Sequence, residues 1–245
     1  MKLSILYEDN HVIAAEKPAG ILSQGDSSGR TSMLDAVREY IRKKYGKQGR
    51  AFLGLVHRLD RQVSGVMVFA RTSKAARRLS GEFGGRRAVK VYCALVNAPG
   101  ATGRGATAAP GGWITVTQHL EREGSTTRVS SRRDGRSMKA SLSYRVLWSG
   151  KDHRMLLVRL ITGRKHQIRA QLSQGGMPVV GDTKYGSPES LADGAICLHA
   201  CYLLIAHPTL KIPLELFSEP PPRIMERAGL SKDLLLAAAR DASAR

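Results

Sequence analysis

The stretch VHRLDRQVSGVMVFA, residues 56–70, sets one carboxylate, Asp60, between Arg58 and Arg61 and runs directly into an unbroken apolar segment. Ser64-Gly65 marks a break in the chain, and residues 66–70 have the length and β-branched content of a buried strand. A polar loop that feeds a core strand is held on one side and open on the other. That is a good seat for a reactive group, because the strand fixes it while substrate approaches from the loop side. On spacing alone, a salt-bridged surface carboxylate is the commoner reading of Asp60. Its meaning therefore depends on the rest of the chain.

With 245 residues, 42% of them hydrophobic and 24% charged, the chain can bury a sizeable core and lies outside the composition of disordered proteins. No apolar run approaches the roughly 20 residues of a membrane span. The opening MKLSILYEDNHVIAAEKP carries acids where a signal peptide is apolar, so a cytoplasmic location is expected. Lys and Arg number 39 against 20 Asp and Glu, a net charge of +19. Such an excess repels itself and points to a polyanion partner. Nucleic acid is favoured over an anionic membrane, because no basic helix carries a Trp/Phe/Leu face. The basic residues fall in short scattered groups, Arg42-Lys43-Lys44, Arg77-Arg78, Arg86-Arg87, Arg132-Arg133 and Arg164-Lys165, which suits a broad phosphate-tracking surface. Aromatics at only 5% speak for a shaped, structured RNA and against a stacking platform for single strands. Cys197, His199 and Cys201 alternate as on one strand face, but no Cys-x-x-Cys completes a zinc set, so the cysteines read as buried small hydrophobes.

Taken in order, the chain predicts strands over 3–7 and 12–15 joined by an Asp9-Asn10 turn, then a second turn at Lys17-Pro18-Ala19-Gly20. Ser32 with Asp35 makes a capping arrangement for a helix that places Leu34, Val37, Ile41 and Tyr45 on one side and ends at Gly46. Residues 73–83 read as a helix capped by Ser73, 90–96 as a strand, and the Gly, Ala and Pro rich 97–112 as a loop. Further strands are expected over 113–120, 126–130, 139–148 and 155–161. Thr162 reads as the N-cap of a helix over 165–174, closed by Gly175-Gly176, with His166, Arg169 and Ser173 on one side. The last twenty residues, after Pro220-Pro221-Pro222, read as a peripheral helix or a frayed tail.

Several blocks then carry a resemblance. His57-Arg58-Leu59-Asp60 with Ser64-Gly65, Lys90-Val91-Tyr92, and above all Thr162-Gly163-Arg164-Lys165-His166-Gln167-Ile168-Arg169 resemble the motifs of RluA-type pseudouridine synthases. So do the opening YEDNHVIAAEKPAG, Pro178-Val179-Val180-Gly181-Asp182, Tyr185-Gly186, Leu198-His199-Ala200 and His207-Pro208, all in the same order. The resemblance implies an α+β pseudouridine synthase fold: a mixed, mostly antiparallel sheet flanked by helices, with a central basic active-site cleft. It implies a catalytic domain over 1–222, a C-terminal helix or tail over 223–245, and no N-terminal accessory RNA-binding domain.

The activity implied is isomerisation of uridine in ribosomal or transfer RNA by a monomer, without metal or cofactor, membrane or obligate protein partner. The catalytic set implied is Asp60, Tyr92 and Arg169, with Arg58, His57, Arg164, His166, Gln167 and Leu198 binding substrate. In that pattern Asp60 acts as nucleophile or as base at the ribose. Arg169 pairs with it and keeps it ionised, Tyr92 lies against the uracil, and Arg58 helps displace the base. Gln62-Val63 and Lys165 depart from the usual motif letters without touching that catalytic set. Two rivals remain: an idle RNA-binding protein on the same scaffold, and a paired-carboxylate hydrolase, for which the motif blocks offer only Asp182 as second acid.

Overall fold

The apolar run at 66–70 lies within β4 (Ser64–Ala70), and every residue of that strand is buried. A strand covered on both faces has no solvent side to alternate with, which is why its sequence reads as one apolar block. The computed structural model describes residues 3–244, apart from 28, 47–48, 50, 99–111 and 132–134. The expected loop at 97–112 and the Arg132-Arg133 pair thus lie mostly or wholly outside the described residues. The chain divides into two units, residues 1–89 with 200–219 and residues 90–199 with 220–245.

In the first unit β1 (Ser4–Glu8), β2 (Val12–Lys17), β4 and β10 (Leu198–Ala206) lie in that order. A short β3 (Gly54–Leu55) pairs with β4, and β11 (Pro213–Phe217) pairs with β10. The β1–β2 turn is made by Asp9, whose carboxylate accepts the backbone N–H groups of His11 and Val12, both at 2.7 Å. One sheet face, with Val12, Ala14, Val66, Val68, Leu203 and Ile205, packs against Ala75 and Leu79 of helix α2 (Ser73–Gly84). The cap of α2 is Thr72, one residue before the expected Ser73. Thr72 has extended backbone and accepts from Ala75 N at 3.1 Å, whereas Ser73 is already helical. Helix α1 (Met33–Lys44) starts as expected at the reciprocal Ser32/Asp35 capping box. It buries Met33, Val37 and Ile41, while Arg42 and Lys43 face solvent and pair with Glu39.

The second unit is an antiparallel run of strands, β5 (Val89–Asn97), β9 (His153–Leu160), β8 (Ser137–Ser149), β6 (Ile114–Glu123) and β7 (Thr126–Ser130), each paired with the next. Helix α3 (Gln167–Gln174) begins two residues later than the expected 165, and Thr162 is not its cap. The Thr162 hydroxyl instead donates to Gln167 Oε1 at 2.7 Å and accepts Ser141 N–H at 2.9 Å, fixing the loop to β8. His166 occupies the cap position in the left-handed conformation, φ 52° and ψ 22°. The expected tail is two helices, α4 (Pro222–Ala228) and α5 (Lys232–Ser243). Ile224, Met225, Leu235 and Ala239 are buried, and Arg145 on β8 holds Asp241 at 2.8 Å, so residues 222–243 are an integral part of this unit. The described residues thus form an α+β protein with mixed, mostly antiparallel strand pairing and five α-helices.

Gly65 shows how tightly the strand behind Asp60 is built. It sits opposite Lys17 in the β2–β4 register at φ +125°, and a Cβ there would overlap the backbone of Ala200. Gly65→Ala should therefore destabilise the protein by about 2–5 kcal/mol, from backbone strain plus overpacking. Urea denaturation of both forms checks this; an unchanged midpoint would show that β4 and β10 are not packed this closely.

Candidate active site

The loop that carries Asp60 is fastened to the rest of its unit from behind. Lys17, at the end of β2, is fully buried, and its ammonium donates to three carbonyls: Ile21 O at 2.7 Å, Pro18 O at 3.0 Å and Arg61 O at 3.1 Å. The Arg61 carbonyl also accepts Gly20 N–H at 2.7 Å. On the other side of Asp60, Ser23 Oγ donates to Leu59 O at 2.6 Å and accepts Leu59 N–H at 3.0 Å. Within the loop, Val63 N–H closes a turn onto Asp60 O at 3.1 Å. The residues on both sides of the aspartate are therefore tied to the 17–23 turn, while Asp60 itself is half-buried and Arg58 and Arg61 are exposed. Burial pushes the Lys17 ammonium down to about 7, the Asp60 carboxylate pulls it up, and Arg61 pulls it down. The two charges flanking the backbone at position 61 thus sense each other.

His57, expected among the substrate-binding residues, is an anchor. Its Nε2 accepts Val68 N–H at 2.9 Å, and its ring stacks on Phe83 of α2 with centroids 4.5 Å apart.

The other expected site residues belong to the second unit. Tyr92 lies on β5 opposite Val158 and is 8% exposed. Arg169 is buried on the first turn of α3 and forms a two-pronged ion pair, Nε to Asp182 Oδ2 at 2.6 Å and Nη2 to Asp182 Oδ1 at 2.8 Å. The sequence reading assigned Arg169 to Asp60; within its own unit the partner of its Nε and Nη2 is Asp182. Asp182 is itself fully buried with both oxygens held, so the paired-carboxylate hydrolase loses its second acid. His166 Nδ1 lies 2.8 Å from Tyr185 Oη. Gln167 is 2% exposed, and its amide joins Thr162, Arg164 N and Ser141 O as a structural staple. Arg164 is partly exposed, with Nε 3.4 Å from Lys139 O, and Leu198 is buried at the start of β10.

Sequence reasoning placed Lys17 in a turn and Asp182 and Tyr185 in motif blocks, but gave Lys17, Ser23 and Tyr185 no part in the site and weighed Asp182 there only as a second acid. The available signal was positional. A lysine closes the strand VIAAEK just before a Pro-Ala-Gly turn, and an aspartate and a tyrosine stand three apart after α3.

All three cysteines are buried, and burial pushes the Cys197 thiol up to about 11, so that thiol is not poised as a nucleophile. Among the described residues no cluster of three or more His, Cys, Asp or Glu could hold a metal ion. Nor is any helix long and apolar enough to cross a membrane.

A seated aspartate between exposed arginines, on an α+β scaffold carrying +19, belongs to the class of enzymes that act on nucleic acid. The family model of RNA pseudouridylate synthases matches residues 11–174, and the chain belongs to that family, whose members are isomerases acting on RNA. It is 34% identical over 257 residues to a protein of Xanthomonas campestris pv. campestris named ribosomal large subunit pseudouridine synthase D, covering 99% of this chain and 71% of that one. A Pseudomonas aeruginosa protein of the same name is 31% identical over 90% of this chain and 69% of its own. Among solved structures, human RNA pseudouridylate synthase domain containing 4 superposes with a TM-score of 0.73 at 24% identity, covering 93% of this chain and 94% of the human one. That likeness establishes the shared fold.

The lowered Lys17 pKa has a defined consequence for stability. Folded, Lys17 loses its proton near 7, whereas unfolded it keeps it to about 10.5. Below 7 folding therefore carries the full penalty of a buried charge. That penalty fades as pH rises through the 7 to 10.5 window, because the unfolded state then binds more protons than the folded one. Measured by denaturation, wild type should gain stability relative to Lys17→Met across that window. A constant difference would mean that the ammonium keeps its ordinary pKa.

Proposed function

We propose that this chain converts uridine to pseudouridine in structured ribosomal RNA, with large-subunit RNA as the substrate. The relatives named for that RNA support the reading, at 34% and 31% identity over 90% or more of the chain. The observation that carries it is the Asp60 loop, held on both sides of a half-buried carboxylate by Lys17 and Ser23. In the reaction the bond from ribose C1′ to uracil N1 breaks and a bond from C1′ to C5 forms. The proton leaving C5 is balanced by one gained at N1, so no redox partner enters.

Asp60 acts at the nucleotide, as nucleophile at the ribose carbon or as base on the sugar. Arg169, its orientation set by Asp182, pairs with Asp60 and favours the ionised carboxylate. Tyr92 lies against the uracil and serves the proton transfer at C5. Turning the nucleotide out of a stacked RNA costs a few kcal/mol. Arg58, exposed beside the aspartate, fills the space the base leaves, and phosphate contacts from the basic surface offset the remainder. His166 and Arg164 contribute to RNA binding. The enzyme works as a cytoplasmic monomer on this reading.

The test is pseudouridine formation on large-subunit RNA by wild type and Asp60→Asn. Wild type should give product at discrete uridines and the variant less than about a thousandth as much, with RNA affinity retained. Equal product from both would overturn the assignment of the carboxylate. Base-resolved maps from cells lacking the gene should lose signal in large-subunit RNA, and a loss confined to transfer RNA would overturn the substrate.

A further inference from the structure

The buried turn that follows α3 does more than close a loop. Asp182 takes the Nε–Nη2 edge of Arg169, so a second carboxylate can meet this guanidinium only through its Nη1–Nη2 edge. Three residues on, the ring of Tyr185 lies under the same guanidinium, 4.7 Å from ring centroid to Cζ. Arg169 is thereby fixed by an ion pair in its plane and by an aromatic face across it. The turn is itself fixed: Tyr185 N–H bonds Asp182 O at 2.9 Å, and Ser173 Oγ of α3 donates to Tyr185 O at 2.6 Å.

The phenol also reaches the imidazole at the start of the helix. Tyr185 Oη accepts Thr127 N–H from β7 at 2.9 Å and stands 2.8 Å from His166 Nδ1, with the two rings edge to face. With the Thr127 N–H on one lone pair, the phenol has its own proton to give, and Nδ1 is placed to receive it. The imidazole proton then sits on Nε2, which makes His166 a hydrogen-bond donor at that atom. The left-handed backbone at φ 52° is what lets the ring turn toward Tyr185 from the helix cap.

We propose that the turn from Asp182 to Tyr185 is a positioning element: its carboxylate selects the guanidinium edge that Arg169 presents, and its phenol holds His166 as the Nε2–H tautomer, a donor for an acceptor oxygen of the RNA. Neither Asp182 nor Tyr185 touches substrate. The part concerning Arg169 rests on the proposed pairing with Asp60; the tautomer does not.

Two variants and two kinds of measurement test it. In protein labelled with 15N at histidine, with His166 assigned by comparison with His166→Gln, the ring should show the Nε2–H pattern, and Tyr185→Phe should turn it into a tautomer mixture. The same variant should raise KM for RNA by about tenfold with kcat nearly unchanged. Asp182→Asn should lower kcat by about a hundredfold and move the acid limb of the pH profile upward, because the guanidinium loses its alignment. Asp182→Glu, which keeps a carboxylate, should recover part of kcat and serves in its place should the asparagine form not fold. The proposal is overturned if Tyr185→Phe leaves the His166 signals unchanged, or if the Asp182 variants keep kcat and pH profile and lose only thermal stability. An Asp60→Asn enzyme as active as wild type would instead overturn the reading of the site, with the tautomer result standing apart from it.

Discussion

A lysine ammonium with no solvent around it must find acceptors, and Lys17 finds them in three backbone carbonyls from two separate turns. That requirement is the constraint on which the site depends. An unpaired buried ammonium costs several kcal/mol, so the chain cannot open the 18–21 turn or the Arg61 carbonyl without leaving the charge stranded. The lysine therefore ties two turns together at a point where both are otherwise loops. Gly20, which donates to the same Arg61 carbonyl, and Ser23, which grips both backbone groups of Leu59, extend the bond into a short polar seam. Asp60 stands on the outer side of that seam, so its backbone has little freedom while its carboxylate keeps access to solvent.

The second unit uses the same physics with different groups. Arg169 and Asp182 are both almost wholly buried, and such a pair adds little net stability compared with well-packed apolar residues. What it adds is orientation, since a guanidinium gripped in two places cannot rotate. Gln167 works likewise: its carbonyl and amide ends are committed to the 162–164 turn and to β8, so the helix cannot change its entry angle. In both units the polar residues inside the protein act on neighbours that reach outward, and each takes at least one partner from a distant part of the chain.

That division explains what could be read from the letters. The β4 run and the Ser32/Asp35 capping box are local patterns, and local patterns survive folding. Adjacent hydroxyls defeat the same reasoning. Thr72 and Ser73 are equally able to cap α2, and only the backbone bend decides between them. Thr162 looked like a cap because a helix pattern follows it, but Ser141, twenty-one residues earlier, claims its hydroxyl. At the C-terminus helix was among the readings but burial was not, because the apolar residues there are mostly alanine and leucine in a charged setting, and their burial depends on a strand layer the segment itself does not encode. Asp60 was legible through its motif. Its fastening was not, because Lys17 and Ser23 meet it only in three dimensions.

Charge closes the argument. Intramolecular pairs absorb some of the basic residues, Arg71 with Glu8, Arg145 with Asp241 and Arg169 with Asp182 among them. Yet 20 acids can neutralise at most 20 of the 39 bases, so a surplus of 19 remains on the protein however the pairs are drawn. An isolated globule gains nothing from that surplus and loses stability to self-repulsion. A polyanion reverses the sign, because each phosphate met by Lys or Arg releases a condensed counterion. The exposed Arg58 and Arg61 stand on either side of Asp60 in this field. On the proposed reading of the site, they would draw the phosphate backbone toward the carboxylate and offset the repulsion between Asp60 and the strand.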